Sequence, residues 1–253
     1  MLLAVDVGNT QTHVGAFDGA ELVADWRLAT RGYSTADEIA LATVGALEFR
    51  GFEAAAVDAA IVSTVVPRLG PEYLRLCERH LDARCLIVGP TLKTGMPILI
   101  DNPRELGSDR LVNSVAAYDR FGGACLAVDF GTSINIDAVS AAGEYLGGAI
   151  GPGLEVSIEA LADRTAKLPR IEIALPETAI GRGTQAALQS GFVFGFAGLV
   201  DGIVRRMLDE LGEAAAVIAT GGMAASIAPL CETIDEVDSY LTLQGLRLID
   251  ERN

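Results

Sequence analysis

Basic residues are scarce in this chain: 19 Lys and Arg stand against 34 Asp and Glu, a formal net charge of 19 − 34 = −15. A polyanion such as DNA is repelled by that field, and no basic patch with interleaved aromatics offsets it, so no nucleic-acid partner is expected. Histidine is limited to His13 and His80, and none of Cys77, Cys85, Cys125 and Cys231 forms a C-x-x-C pair. A zinc site is therefore not expected, and thiols scattered in this way read as reduced and cytoplasmic. Long hydrophobic runs are missing too. The most apolar stretch, Gly191 to Val204, is broken by Asp201 and several glycines, which reads as too short to cross ~30 Å of hydrocarbon. The run Leu2 to Val7 resembles a strand, without the basic-then-apolar order of a signal peptide. A soluble protein with no membrane partner is the expectation.

What is present is apolar content and a duplication. Half of the 253 residues are hydrophobic, ample for a core. Domains usually run to ~100–200 residues, so one large or two small ones are expected. The run LAVDVGNTQTHVGAF from Leu3 matches LAVDFGTSINIDAVS from Leu126. Aligned without gaps, Asp6 meets Asp129, Gly8 meets Gly131, Thr10 meets Ser133 and Glu21 meets Glu144, an offset of 129 − 6 = 123. Each copy reads as a buried strand, a glycine turn and a second strand. Thr35 reads as the cap of a helix with Leu41, Val44 and Leu47 at helical spacing. Ser108 to Tyr118 reads as a helix with Leu111, Val112 and Val115 inward. Thr184 to Leu208 is a long helical region, and Ala216 to Ala219 a strand ending in Thr220-Gly221-Gly222. Alternating strands and helices indicate α/β. The boundary falls at Phe121-Gly122-Gly123, giving domains 1–121 and 122–253.

A carboxylate at a strand end followed by a glycine turn has a physical use. Glycine lets backbone amides approach a phosphate, and Thr10 and Thr132 add donors. Aspartate binds a cation that bridges to the phosphate. A single copy of the pattern reads first as a strand ending in an ordinary polar turn; two copies at a half-chain offset point instead to a clamp around a polyphosphate.

The ordered set resembles the actin/hexokinase-like ATPase superfamily, and over essentially the whole chain it is similar to the type III pantothenate kinases. The segments that carry the resemblance are Asp6-Val7-Gly8-Asn9-Thr10, the stretch Asp101 to Arg110, Asp129-Phe130-Gly131-Thr132, Gly147 to Gly153, Thr165 to Pro169, and Leu241 to Leu246. It implies two duplicated ribonuclease H-like domains with a nucleotide cleft between them. The implied reaction is ATP-dependent phosphorylation of pantothenate, the first step toward coenzyme A, with magnesium and a monovalent cation, potassium or ammonium. It implies that Asp6, Val7, Gly8, Asn9, Thr10, Gln11, Thr12 and His13 form the first phosphate loop and that Thr132 serves the second. Asp129 would hold the monovalent cation. Gly107, Ser108, Asp109 and Arg110 would bind pantothenate, with Asp109 the catalytic base, and Thr184 would also bind substrate. The chemistry is compatible: Arg110 suits a carboxylate, and Asp109 suits the proton of an attacking hydroxyl.

The chain departs from the family pattern at Ser133-Ile134-Asn135, where Ala-Thr-Thr is common, so Ile134 removes a hydroxyl near the second loop. Ile100 stands where an aromatic is frequent, and Gly183 where Asn is. Two other readings remain open on residues alone: another small-molecule kinase of the superfamily, and a non-catalytic paralogue or accessory regulator. Lastly, Gly191, Gly195, Gly198 and Gly202 fall on one stripe of the long helix, flanked by Phe192, Phe194 and Phe196. The stripe serves either internal packing or a partner helix; the resemblance implies a homodimer.

Overall fold

A computed structural model describes all residues, 1–253. The chain forms two compact units. The first comprises Met1–Met96, Asp101–Ala116 and Tyr240–Asn253; the second comprises Pro97–Ile100 and Ala117–Ser239. The C-terminal segment thus clusters with the N-terminal half, a distribution that one cut at residues 121 and 122 does not describe. The reason is packing: the last helix lies on the first sheet.

The first unit holds the strands β1 (Leu2–Val7), β2 (Gln11–Asp18), β3 (Glu21–Ala29), β4 (Ala59–Thr64) and β5 (Arg84–Ile87), in the order β3-β2-β1-β4-β5. The first three are antiparallel neighbours, and β4 and β5 add in parallel. One face, carrying Leu3, Val5, Val7, Val14 and Ala16, packs on α1 (Ala36–Phe49) and α2 (Gly70–Leu76). Thr35 caps α1 through a reciprocal capping box with Glu38. The buried side of α1 runs through Ala36, Ile39, Ala40, Thr43 and Leu47. Leu41, at helical spacing with Val44 and Leu47, is 78% exposed, because it lies well round the helix from that stripe. The other sheet face meets α7 (Leu241–Glu251), which crosses α3 (Ser108–Phe121) at Gly245. A Cβ on Gly245 would run into the backbone of Val112, so a residue without a side chain lets the two helices touch backbone to backbone.

The second unit repeats the topology with β6 (Cys125–Phe130), β7 (Ser133–Val139), β8 (Tyr145–Pro152), β9 (Ala216–Thr220) and β10 (Glu236–Val237), ordered β10-β9-β6-β7-β8. The helices are α4 (Leu154–Arg164), α5 (Thr184–Leu211) and the short α6 (Ala224–Ile227). The duplication holds down to an irregularity: each second strand shifts register at the same place, between Ala16 and Phe17 and between Ala138 and Val139.

The two hairpins are not gapless copies. In the first, Gly8 N–H donates to Gln11 O at 3.0 Å; in the second, Gly131 N–H donates to Ser133 O at 3.0 Å. The second turn is one residue shorter, so Ser133 matches Gln11 rather than Thr10. The deficit is made good at the next turn, where Asp18–Glu21 is matched by the longer Ser140–Glu144. Ile134 therefore takes the place of Thr12, on the core side of its strand, and is 2% exposed in the hydrophobic cluster of the second unit. The hydroxyl that Ile134 lacks would have pointed into that core.

Helix α5 is long and apolar enough by length and composition to cross a membrane, contrary to the expectation from Gly191–Val204 alone. Its Val193, Phe196, Ala197, Val200 and Val204 instead pack in the core of the second unit. Asp201, also buried, accepts hydrogen bonds from Glu232 N–H, Thr233 N–H and the Thr233 hydroxyl. Burial pushes that carboxyl up, but these donors outweigh it and hold it below its ordinary range.

Candidate active site

The expected site residues divide between the units: Asp6–His13 and Gly107–Arg110 in the first, Asp129, Thr132 and Thr184 in the second.

In the first unit, strand register sets a polar row. Asp6 on β1 is the Cα partner of His13 on β2 and of Ser63 on β4, so the three lie side by side at the strand ends. The turn Gly8–Gln11 projects beyond them. A Cβ on Gly8 would stand 2.9 Å from Gln11 O, which keeps the turn tight. The His13 ring faces sideways, its Nε2–H donating to Asp25 Oδ2 at 3.0 Å, with the Tyr240 hydroxyl 3.4 Å from Asp25 Oδ1. Burial lowers the pKa of His13 against the opposing pull of Asp25, leaving a neutral imidazole. On the opposite side of the hairpin, Thr12 Oγ1 and Thr30 Oγ1 are 2.8 Å apart.

The Asp101–Arg110 segment begins as a short turn in which the Asn102 side chain accepts Arg104 N–H and donates to Glu105. It then opens α3. Ser108 turns its hydroxyl to the end of β4, where it meets Ser63 and Thr64, so its side chain is engaged in the fold rather than extended for a ligand. Asp109 folds back over Gly107: a Cβ there would lie 2.5 Å from Asp109 Oδ1. Burial raises the pKa of Asp109, and the Arg110 N–H and guanidinium oppose that rise. A carboxylate with raised basicity, pinned at a helix start beside an arginine, is equipped to take a proton.

In the second unit, Asp129 is the Cα partner of Asn135 on β7 and Thr220 on β9, the counterpart of the His13–Asp6–Ser63 row. Two glycines bring bare backbone up to this turn. Gly221, at φ +96°, sits so close that a Cβ would strike Asp129 Oδ1 and come within 2.7 Å of Phe130 N. Gly153 donates its N–H to Thr132 O at 3.1 Å. Thr132 itself is exposed. Thr184 is exposed in the first turn of α5; the cap position is Gly183, so the Thr184 hydroxyl does not close that helix end.

Ser63, Thr64 and Asp25 are the residues that sequence reasoning missed. A signal for the first two existed: Ala59–Thr64 is an apolar run ending in hydroxyls, as is Ala216–Thr220.

Two sheets of duplicated topology, each opening with a strand-end aspartate and a glycine turn, define the actin/hexokinase-like fold class. Two solved structures share that fold. A Campylobacter jejuni protein named for the Baf family of transcriptional activators aligns at TM-score 0.62 and 18% identity, over 98% of this chain and 97% of its own. An inorganic polyphosphate/ATP-glucomannokinase from Arthrobacter sp. strain KM aligns at TM-score 0.54 and 15% identity, over 100% and 99%. The family model for type III pantothenate kinase matches residues 2–206. Proteins of that name from Anaeromyxobacter sp. (strain Fw109-5) and Syntrophobacter fumaroxidans (strain DSM 10017 / MPOB) are 51% and 49% identical, covering all of this chain and 100% and 98% of theirs. The chain belongs to the type III pantothenate kinase family.

Proposed function

We propose that this chain transfers the γ-phosphoryl group of ATP to the primary hydroxyl of pantothenate, the entry step to coenzyme A. The observation that carries the reading is Asp109: a half-buried carboxylate with raised basicity, folded over Gly107 and followed by Arg110. Asp109 takes the proton of the attacking hydroxyl, and Arg110 pairs with the pantothenate carboxylate. Gly107 and Thr184 contribute to pantothenate binding, and Ser108 acts there by holding the backbone.

The nucleotide phosphates are held by the turn from Asp6 to His13, through Val7, Gly8, Asn9, Thr10, Gln11 and Thr12, and by Thr132. Magnesium neutralises phosphate charge, and a monovalent cation, potassium or ammonium, rests on Asp129. Phosphoryl transfer asks mainly for alignment and charge neutralisation, which these groups supply. The two halves act as two domains of an ancestral duplication, each bringing one hairpin. The chain works in the cytoplasm, without nucleic acid or membrane.

The working form is a homodimer formed along α5. Apart from the backbone of α5 itself, nothing lies within 4 Å of where a Cβ on Gly191, Gly195 or Gly198 would stand, so the stripe is not used in packing within the chain and is open to a partner helix. Of the aromatics expected to flank that contact, Phe196 is spent in the core, while Phe194 is 37% exposed and available.

A coupled ADP-release assay, with and without pantothenate and potassium, tests the reading. ADP release that depends on both is expected; ATP turnover indifferent to pantothenate overturns it.

A further inference from the structure

Ser63 is completely buried at the end of β4, beside Asp6 in the sheet. Its Oγ lies 3.0 Å from Ser108 Oγ, 45 residues further along the chain. Ser108 Oγ also accepts Thr64 N–H at 3.2 Å and stands 3.3 Å from Thr64 O. A hydroxyl has one proton and two lone pairs. The arrangement that uses every partner has Ser63 and Thr64 N–H donating to Ser108 and Ser108 donating to the Thr64 carbonyl.

Ser108 is the first residue of α3, and its successor is Asp109. The first backbone bond of the helix, Leu111 N–H to Gly107 O at 3.2 Å, spans the same turn. The Asp109 carboxylate folds back to Gly107 inside it. Three consecutive features therefore rest on one anchor: Gly107 gives the space, Ser108 ties the backbone to β4, and Asp109 points its oxygens. The anchor on β4 is also the neighbour of Asp6.

We propose that Ser63 is a positioning residue for Asp109, acting through the Ser108 hydroxyl to fix the start of α3 in register with the Asp6 strand end. The inference rests on the reading of Asp109 as the base. Ser63 touches neither substrate; it sets where the proton acceptor stands relative to the hydroxyl it serves. A misplacement of about 1 Å costs up to ~100-fold in rate, while binding groups elsewhere are untouched.

The test is steady-state kinetics on Ser63→Ala, with Ser108→Ala as a second variant and thermal unfolding as a check on folding. The expected result is a kcat lower by about 10- to 100-fold with KM for ATP unchanged. The loss in the double variant should be no larger than that of Ser108→Ala alone, since Ser63 acts only through the Ser108 hydroxyl, whereas Ser108 also holds Thr64. In an Asp109→Asn background, Ser63→Ala should lower kcat no further. Full kcat in Ser63→Ala overturns the proposal. So does a drop of the same size in the Asp109→Asn background, which would mean that Ser63 acts independently of Asp109. If Asp109→Asn itself turns over normally, it is the assignment of the base that fails.

Discussion

Gly153→Ala sets two opposing effects against each other at the turn that carries Thr132. Gly153 has φ −74° and ψ 161°, a conformation any residue adopts. On backbone grounds alone, replacing it with alanine stabilises by about 0.4–1 kcal/mol, because the unfolded chain loses freedom. Sterics decide otherwise. The new Cβ would fall well inside contact of the Thr132 carbonyl oxygen, 2.5 Å from Gly131 O and 2.6 Å from the Thr132 carbonyl carbon. Ordinary carbon contacts sit at ~3.5–4.0 Å. All three obstructing atoms are backbone, so no rotamer change relieves the overlap; the turn itself must move. Overpacking of this kind costs about 1–3 kcal/mol. The net expectation is a loss of about 1–2 kcal/mol, or a melting temperature lower by about 2–8 °C. Because the displaced turn carries Thr132, KM for ATP should rise while KM for pantothenate holds. Differential scanning calorimetry and two-substrate kinetics read both. A variant that melts at or above the parent temperature refutes the packing argument.

Asp109→Asn should cost ~10²–10⁴-fold in kcat with melting preserved, since an amide keeps the shape but takes no proton; near-normal turnover excludes Asp109 as the base. Burial raises the Asp109 pKa, so kcat should fall as pH drops through that raised value, and any stability tied to the group is present in acid and lost as pH rises through it. Arg110→Ala removes a group that holds this pKa down, so the acid limb of the kcat profile should move to higher pH; an unmoved limb would show that it reports another group. Asp129→Ala should abolish the response of activity to potassium or ammonium, and a variant that keeps both activity and response refutes the cation assignment. Gly195→Leu should give a folded, inactive monomer by sedimentation at micromolar concentration, whereas an active monomer rules out the α5 contact.

Much of the architecture is legible from the strand-turn-strand pattern, because an apolar run ending in Asp and Gly leaves few local alternatives. Matching Thr10 to Ser133 goes wrong by one residue, since a gapless alignment cannot register a turn that is shorter by one and repaid at the next. The spacing of Leu41, Val44 and Leu47 marks α1 as a helix but does not say which of them is buried, since residues at steps of three drift round the helix. Phe196 likewise points into its own core because an apolar helix offers aromatic residues on both sides. The Ser63–Ser108 bond lies beyond sequence reasoning altogether. It exists only once β1 and β4 pair in parallel and α3 returns to their ends, a matter of tertiary geometry rather than spacing.

The shorter second turn has a consequence for anyone recombining the two halves. Side chains alternate across a strand, so a one-residue slip normally turns a strand inside out. Here the slip is confined between Gly131 and Ser133 and cancelled by Ser140–Glu144. A hairpin can be transplanted from one half to the other only as a sealed cassette, from the glycine of the first turn to the glutamate of the second. A crossover point inside it would turn Ile134 out of its hydrophobic cluster and put Asn135 in its place.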